Sequence, residues 1–422
     1  MSARRAAAEL TIAVLDNGRA FDEALDETKS FSALEGRDRA FARALASATL
    51  RHLGGIDAIL AQFLTKPLPE SAVAARAILR TGAAQLLVLR TPPHAAVGES
   101  VTLANAHRGT AGFAKLMNAV LRKVAQEGPA LMAAQKPGAD LPAWLFTRWR
   151  AAYGDETAAA IAAALHAEPP LDLTAKDDAD ALAAGVQGAL LATGSIRLSS
   201  PPSGVEALEG FGDGAFWVQD AAAALPAKLL GDVRGKRVLD LCAAPGGKTL
   251  QLAAGGAHVT ALDRADDRLT RLRESLARTK LDAEIVCADA LAWTPAEPFD
   301  AVLLDAPCSS TGTLRRHPDV AWLRRPTDIA ALADLQKRLL ARAADFVTPG
   351  GALVYAVCSL EPEEGPSIIA GAGPAWRRDP ITAEEIGDAG FVTSDGALRT
   401  LPSHWPDRGG LDGFYAARLK RV

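Results

Sequence analysis

The sequence predicts a multidomain chain: an all-α bundle, a small α+β connector, and a doubly wound, Rossmann-like α/β domain. Three observations carry this. Apolar residues recur at helical spacing through the first third, and the stretch 136–214 mixes helical and strand patterns. From Phe216 onward, short apolar runs alternate with helical stretches, which implies βαβ units and a mainly parallel sheet. The expected boundaries are 1–135, 136–214 and 215–422, in keeping with the two or three domains that 422 residues suggest.

Candidate helices in the first third are Arg4–Leu15, Asp38–His52, Gly55–Leu64, Glu70–Leu89, Ala95–His107 and Gly112–Gln126. The last shows why. Phe113, Leu116, Met117, Val120, Leu121 and Val124 fall on one stripe, while Lys115, Asn118, Arg122 and Gln126 fall on the other side. Pro92-Pro93 and Lys66-Pro67-Leu68-Pro69 separate helices, so a bundle of six or seven is expected. Gln135 to Asp140, with its Pro-Gly pair, reads as a linker. The connector should hold helices Pro142–Tyr153 and Glu156–Leu165, then a short strand at Leu171–Thr174.

Expected strands of the third region are Arg237–Leu241, Ala257–Leu262, Glu284–Ala288, Asp300–Leu304 and Ala352–Val357. Helices at Gly247–Ala254, Ala265–Lys280 and Thr327–Phe346 fall between them. Gly413–Leu419 alternates at period two and reads as a final edge strand.

Composition narrows the function classes. The chain is 49% hydrophobic and 23% charged, as expected for a soluble globular protein and not a fibrous or disordered one. No apolar run approaches the roughly 18 residues that span a bilayer. Glu9 and Asp16 interrupt any signal-peptide stretch after Met-Ser-Ala-Arg-Arg, so a cytoplasmic location is expected. Net charge is -4, but residues 1–140 hold 17 Lys+Arg against 13 Asp+Glu while the remainder holds 29 against 37. That asymmetry hints that the N-terminal part meets an anion such as a phosphate backbone, although a chance imbalance on a solvated surface explains it equally well. The four cysteines, Cys242, Cys287, Cys308 and Cys358, form no CxxC pair, so reduced thiols are expected.

In an open α/β sheet, ligands bind beyond the carboxyl ends of the strands. The first strand runs into Cys242-Ala243-Ala244-Pro245-Gly246-Gly247-Lys248, a loop of small residues that opens a helix. Such a loop admits close backbone approach, yet it matches neither the dinucleotide nor the P-loop fingerprint. The second strand ends at Asp263, 23 residues after Asp240, where an acid suits the two hydroxyls of a ribose. The third ends at Asp289, placed to accept from an adenine amino group. Each acid alone could equally cap a helix. Together they describe a nucleoside without a pyrophosphate, and S-adenosylmethionine fits better than NAD or ATP.

The fourth strand ends in Asp305-Ala306-Pro307-Cys308-Ser309-Ser310, the fifth in Val357-Cys358-Ser359-Leu360-Glu361-Pro362-Glu363-Glu364. Both deliver a thiol to the rim that should hold the methyl donor. Cys287, inside a strand, reads as core filler. Methylation of pyrimidine C5 is the chemistry that wants a thiol there. C5 is a poor nucleophile until a thiolate adds to C6 and makes the ring an enamine. Asp305 is placed to meet N3, and a base must then remove the C5 proton so that the thiol can leave. Two cysteines divide this work, but the residues alone do not rank them.

At these residues the sequence resembles the Nop/Sun family of RNA cytosine-C5 methyltransferases, and within it the RsmB-type (Fmu/Sun) ribosomal RNA enzymes. The matching stretches are Leu239–Thr249, Leu304–Gly312 with Arg315-Arg316-His317-Pro318-Asp319, Trp322-Leu323-Arg324-Arg325, and Tyr355–Glu364. The first third is similar to NusB, an RNA-binding bundle, at Asp38–Arg43, Pro92–Val97 and Asn118–Arg122. The resemblance implies a class I S-adenosylmethionine-dependent methyltransferase domain in which Cys358 is the nucleophile, Cys308 assists product release and Asp305 contacts the base. It also implies that Cys242–Lys248, Asp263, Asp289 and Asp305 line the cofactor site. DNA cytosine-C5 methyltransferases attack instead with the Cys that follows Pro, here Cys308. After Glu364 the family usually continues with Asn, whereas this chain has Gly365-Pro366.

Arg315, Arg316, Arg324 and Arg325 cluster just after Cys308, where they would meet phosphates around an extruded base or simply form a solvated loop. The expected partner is small-subunit ribosomal RNA, with no membrane, no metal and a monomeric state. The same chemistry on transfer RNA or another RNA remains open, as does a non-catalytic RNA-binding assembly factor.

Overall fold

Every apolar stripe of the first third is a helix in the computed structural model, which describes residues 2–199 and 204–422. The chain divides into two compact units: residues 1–166 with 316–325, and residues 167–315 with 326–422.

In the first unit the expected helices are Ala3–Leu15, Gly36–Arg51, Leu53–Phe63, Val73–Leu87, Pro93–Asn105 and Ala114–Ala133. Leu10, Leu45, Ile56, Met117 and Leu121 point into their shared core. Phe21–Glu27, Lys29–Ser32 and Arg108–Ala111 are further helices of one or two turns, too short for a 3.6-residue period to show.

The expected linker is anchored instead of loose. Asp140 is buried, with Oδ2 3.2 Å from His52 Nδ1 and 2.9 Å from His166 Nε2. Its Oδ1 accepts the Gly55 N–H at 3.2 Å. Burial opposes the charge on Asp140, but hydrogen bonds from His166 and His52 outweigh it and hold the carboxyl well below its ordinary range. Helices Ala143–Tyr153 and Asp155–Ala164 accordingly belong to the first unit and not to the connector expected to hold them. Residues 316–325 join the same unit. Trp322 Nε1 donates to Leu50 O and Phe21 N to Asp319 Oδ2, each at 2.9 Å.

The second unit holds two sheets. The smaller is antiparallel, built from β1 (Leu171–Ala175), β2 (Ala189–Leu190), β3 (Ile196–Leu198) and β4 (Phe216–Val218) in the order β2-β3-β1-β4. The larger contains β5 (Arg237–Leu241), β6 (His258–Asp263), β7 (Glu284–Cys287), β8 (Phe299–Asp305), β9 (Val347–Val357), β10 (Trp376–Arg378), β11 (Leu398–Arg399) and β12 (Tyr415–Arg421). Its order is β10-β12-β9-β8-β5-β6-β7, with β11 also paired to β12. Strands β5 to β9 are parallel to their neighbours, and β12 runs antiparallel to β9. Central strands read as continuous apolar runs because both faces are covered: Val302, Leu303, Leu304 and Val354–Val357 have no exposure.

The last strand is not an edge. β10 and β11 flank β12, and they are only three and two residues long, too short for alternation to reveal them. Among the described residues no helix is long and apolar enough to cross a membrane.

Candidate active site

Parallel register sets the site. Leu241 of β5 lies beside Leu262 of β6 and Leu304 of β8, while Asp263 pairs with Cys287 and Asp305 with Ala356. The carboxyl ends of five strands therefore reach one rim. At the end of β5, Cys242 turns the chain with φ 66°, and its N–H and that of Ala243 both bond Leu262 O, at 2.8 and 3.0 Å. Gly246 then takes φ 110° and starts helix Gly247–Ala254. A side chain at Gly246 would be both left-handed and 2.3 Å from Leu272 Cδ1, so only glycine serves there.

Asp263 braces this loop. Its Oδ2 accepts Ala244 N at 3.1 Å and its Oδ1 accepts Ala265 N at 3.0 Å, leaving one lone pair on each oxygen for a ligand. Asp289 is exposed just past β7, with Oδ1 capping Leu291 N at 2.9 Å. Lys248 reaches across the rim to Asp305 Oδ2 at 2.7 Å. Burial disfavours its ammonium, but the Asp305 charge outweighs this and raises Lys248 above its ordinary value.

The donor set fits the expected cofactor. The rim offers carboxylates and loop amides, and its two cations near the loop are engaged, Lys248 by Asp305 and Arg268 by Ala244 O. Such a rim favours a cationic sulfonium and ribose hydroxyls over a pyrophosphate.

Opposite the loop lie the two thiols. β8 and β9 are neighbours, and the ladder ends at Ala306 N to Ala356 O, 2.9 Å. Just beyond, Cys308 Sγ and Cys358 Sγ stand 3.4 Å apart, both reduced. Ser310, in the left-handed region at φ 60°, places Oγ 3.6 Å from Cys358 Sγ. The hydrogen bond from Cys308 lowers the Cys358 thiol, assisted by Ser310 and the Lys248 charge against burial and Asp305. The same bond holds Cys308 well above the ordinary thiol value, with burial adding to it. Burial, with Asp263, Asp305 and Asp240 adding, also raises Cys242. Either thiol can donate across this 3.4 Å contact; with Cys308 donating, Cys358 is the lowered thiol of the pair.

Sequence reasoning missed Ser309, Ser359, Gln336 and Glu364 as part of the site. Glu364 is fully buried and accepts from Ser309 N at 2.8 Å, Gln336 Nε2 at 3.1 Å and the hydroxyls of Ser309 and Ser359. A serine directly after each cysteine was the available signal. At Gly365 the Tyr415 ring fills the space: a Cβ would lie 2.9 Å from Tyr415 Cγ.

The arginine cluster needs correction. Arg315 is only 1% exposed and bonds Asp220 Oδ2 at 3.0 Å and Gly409 O, with Asp412 Oδ1 3.6 Å away. Its charge is consumed inside the second unit, so it presents nothing to a phosphate. Arg316 and Arg325 are exposed and Arg324 is half-buried, all within the first unit. His317 Nδ1 lies 3.8 Å from Asp22 Oδ2, within the first unit.

Among the described residues one group, His52, Asp140 and His166, brings three metal-capable atoms within 4.8 Å. Hydrogen bonding among the three and to Gly55 accounts for the arrangement.

The chain is similar to proteins of known family. The family described as 16S rRNA methyltransferase RsmB/F matches residues 227–420, and the NusB family matches residues 1–126. Ribosomal RNA small subunit methyltransferase B of Pseudomonas putida is 37% identical, covering 100% of this chain and 99% of its own length. The protein of the same name from Vibrio cholerae is 34% identical over 100% of this chain and 98% of its length. The crystal structure of PH0851 shares the fold with TM-score 0.78 at 20% identity, covering 100% of this chain and 99% of that one. The chain belongs to the RsmB/F family of S-adenosylmethionine-dependent 16S rRNA methyltransferases and carries that family's NusB region at its N-terminus.

Proposed function

We propose that this chain methylates C5 of a cytosine in 16S ribosomal RNA through a covalent bond between Cys358 and C6 of the base. The observation that carries the reading is the 3.4 Å pairing of Cys308 with Cys358, in which Cys358 is the lowered thiol.

S-adenosylmethionine supplies an electrophilic methyl group when bound. The loop Cys242–Lys248, with Asp263, Asp289 and Asp305, holds it at the strand ends. Cys358 Sγ, as thiolate, attacks C6 and forms the S–C6 bond. The Lys248–Asp305 pair offers an ammonium proton and a carboxyl group to the base edge around N3, where charge shifts during that attack. C5 then carries the transferred methyl and one proton. Solvent water takes that proton, the C5–H electron pair forms the C5–C6 double bond, and Cys358 departs as thiolate with the electron pair of the S–C6 bond, the Cys308 S–H donating to it. Cys308, in contact with Cys358, assists this release.

RNA would be held by phosphate contacts from Arg316, Arg324 and Arg325 and by the helical bundle. The protein would act in the cytoplasm, as a monomer.

The test is to incubate unmethylated small-subunit ribosomal RNA and S-adenosylmethionine with Cys308→Ala and Cys358→Ala, then run denaturing gels. Cys308→Ala should accumulate a protein–RNA adduct and Cys358→Ala none. The reverse pattern exchanges the two roles. Absence of adduct with unchanged methylation by both would sink the covalent mechanism.

A further inference from the structure

The two thiols occupy turns from different strands, and the sheet does not set their spacing. Past the last ladder bond, Ala306 N to Ala356 O, the turns are tied by Gly312 N to Cys358 O at 3.0 Å and Leu360 N to Thr311 Oγ1 at 3.0 Å. A third tie is the Glu364 carboxylate. One oxygen takes Ser309 N and Gln336 Nε2; the other takes both serine hydroxyls. Ser309 directly follows Cys308 and Ser359 directly follows Cys358.

Four donors fill the roughly four acceptor positions of a carboxylate. Gln336 also donates to Pro307 O at 2.9 Å, gripping the residue before Cys308. Tyr355 OH, on β9, donates to Glu364 O at 2.5 Å and fixes the backbone from which the carboxylate extends. Glu364 is fully buried behind the turns, and its hydrogen bonds go to the residues flanking the thiols.

We propose that Glu364 is the positioning residue of the two-thiol site: it pins the turn after each cysteine and so holds Cys308 within hydrogen-bond reach of Cys358. The inference rests on the reading of the thiol pair given above and deepens it. Its physical content is a distance. A thiol hydrogen bond is lost within an ångström or so of slack, and with it goes the preference for thiolate at Cys358. The other groups facing Cys358 are Ser310 from the same turn as Cys308, Asp305 at the end of β8 and Lys248 from helix Gly247–Ala254. Asp305 and Lys248 lie outside the pinned turns, Ser310 moves with the first of them, and the Glu364 charge, which also raises Cys308, is lost equally in the Gln and Leu variants below.

The amide of a glutamine could serve the same pin. Its oxygen would accept Ser309 N and Gln336 Nε2, and its NH₂ would donate to serine hydroxyls turned to accept. Glu364→Gln should therefore preserve the spacing, whereas Glu364→Leu fills the space without bonding either turn.

The measurement is the pH dependence of iodoacetamide alkylation at Cys358 in the intact protein, followed by peptide mass spectrometry, with melting temperature recorded in parallel. Relative to wild type, Glu364→Leu should move the alkylation midpoint up by about one pH unit, toward the ordinary thiol value. Glu364→Gln should restore most of that shift. If Glu364→Leu does not fold, Ser309→Ala combined with Ser359→Ala removes two of the four struts and carries the same expectation. A lowered melting temperature with an unmoved midpoint would make Glu364 merely structural and overturn the proposal. So would equal behaviour of the Gln and Leu variants, which would point to charge and not position. If wild-type protein shows the expected alkylation pattern but transfers no methyl to 16S rRNA, the reaction reading fails while the positioning role stands.

Discussion

Gly312 and Gly413 meet backbone to backbone: Gly413 N donates to Gly312 O at 2.8 Å, and a Cβ on Gly312 would sit 1.9 Å from Gly413 O. The first glycine lies four residues after Cys308 and the second precedes β12, so this contact seats the cysteine turn on the sheet. Gly312→Ala must push two backbones apart, because no flexible side chain is available to yield. Overpacking of this kind costs about 1–3 kcal/mol. The same shift disturbs the bond from Gly312 N to Cys358 O, so methylation should fall more than melting temperature alone suggests. Thermal unfolding and single-turnover methyl transfer check both parts; a variant with wild-type turnover would show that the turn tolerates the displacement.

Arg315 makes the next expectation. Its guanidinium lies between Asp220 and Asp412, with all three side chains at most 3% exposed. Arg315→Met keeps much of the volume but leaves two carboxylates buried without their cation. Breaking a buried ion pair from one side costs about 3–5 kcal/mol. Urea unfolding should show that loss, while RNA affinity of the folded fraction should be unchanged. Were stability intact and RNA binding reduced, the surface role expected from sequence would be restored.

These two cases mark where the sequence is legible. β8 and β9 announce themselves as apolar runs, and each ends in a cysteine flanked by turn residues, so the rim thiols follow from topology alone. Asp305 ends β8, and Lys248 opens the helix after the small-residue loop of β5, so both are recognisable for the same reason. Arg315, by contrast, has the composition of a surface loop, and its burial depends on Asp220, 95 residues earlier. Glu364 and Ser309 are 55 residues apart, and a pairing at that range leaves no periodic trace. Asp140 sits in a turn-forming Pro-Gly stretch, yet its anchorage depends on His52, 88 residues away. Local pattern reports turns and faces; it does not report which distant partner consumes a charge.

Asp240 gives a pH expectation with a defined sign. It is fully buried on β5, and its Oδ2 accepts from Thr249 Oγ1 at 2.6 Å. Burial pushes its carboxyl up to about 7; the Thr249 bond works the other way and the Asp305 charge adds to the rise. A carboxyl raised in the folded state favours folding fully below its unfolded value, about 4. That benefit is lost as pH rises through about 7. Wild type should therefore lose stability between about pH 4 and pH 7, at up to about 1.4 kcal/mol per pH unit, beyond any loss in Asp240→Asn. Denaturant melts of both proteins across that range supply the comparison. Parallel pH curves would mean that Asp240 is ionised throughout.

The final expectation concerns the cation beside the thiols. Lys248 Nζ is bound to Asp305, and its charge helps to keep Cys358 as thiolate while offering a proton to the edge of the base. Lys248→Met removes both functions and leaves the Asp305 carboxylate facing Cys358 without its counter-ion. Cys358 alkylation should then shift to higher pH, since the remaining carboxylate opposes thiolate formation. Methyl transfer should fall by roughly 10²–10³-fold, the scale of removing one preorganised electrostatic group. Cys242 serves as the internal standard: it is half-buried like Cys358, but burial raises its thiol, so it should alkylate far more slowly than Cys358 in wild type. If Lys248→Met slows methylation without moving the Cys358 profile, the lysine acts on the base alone. If neither changes, the Lys248–Asp305 pair has no part in the reaction.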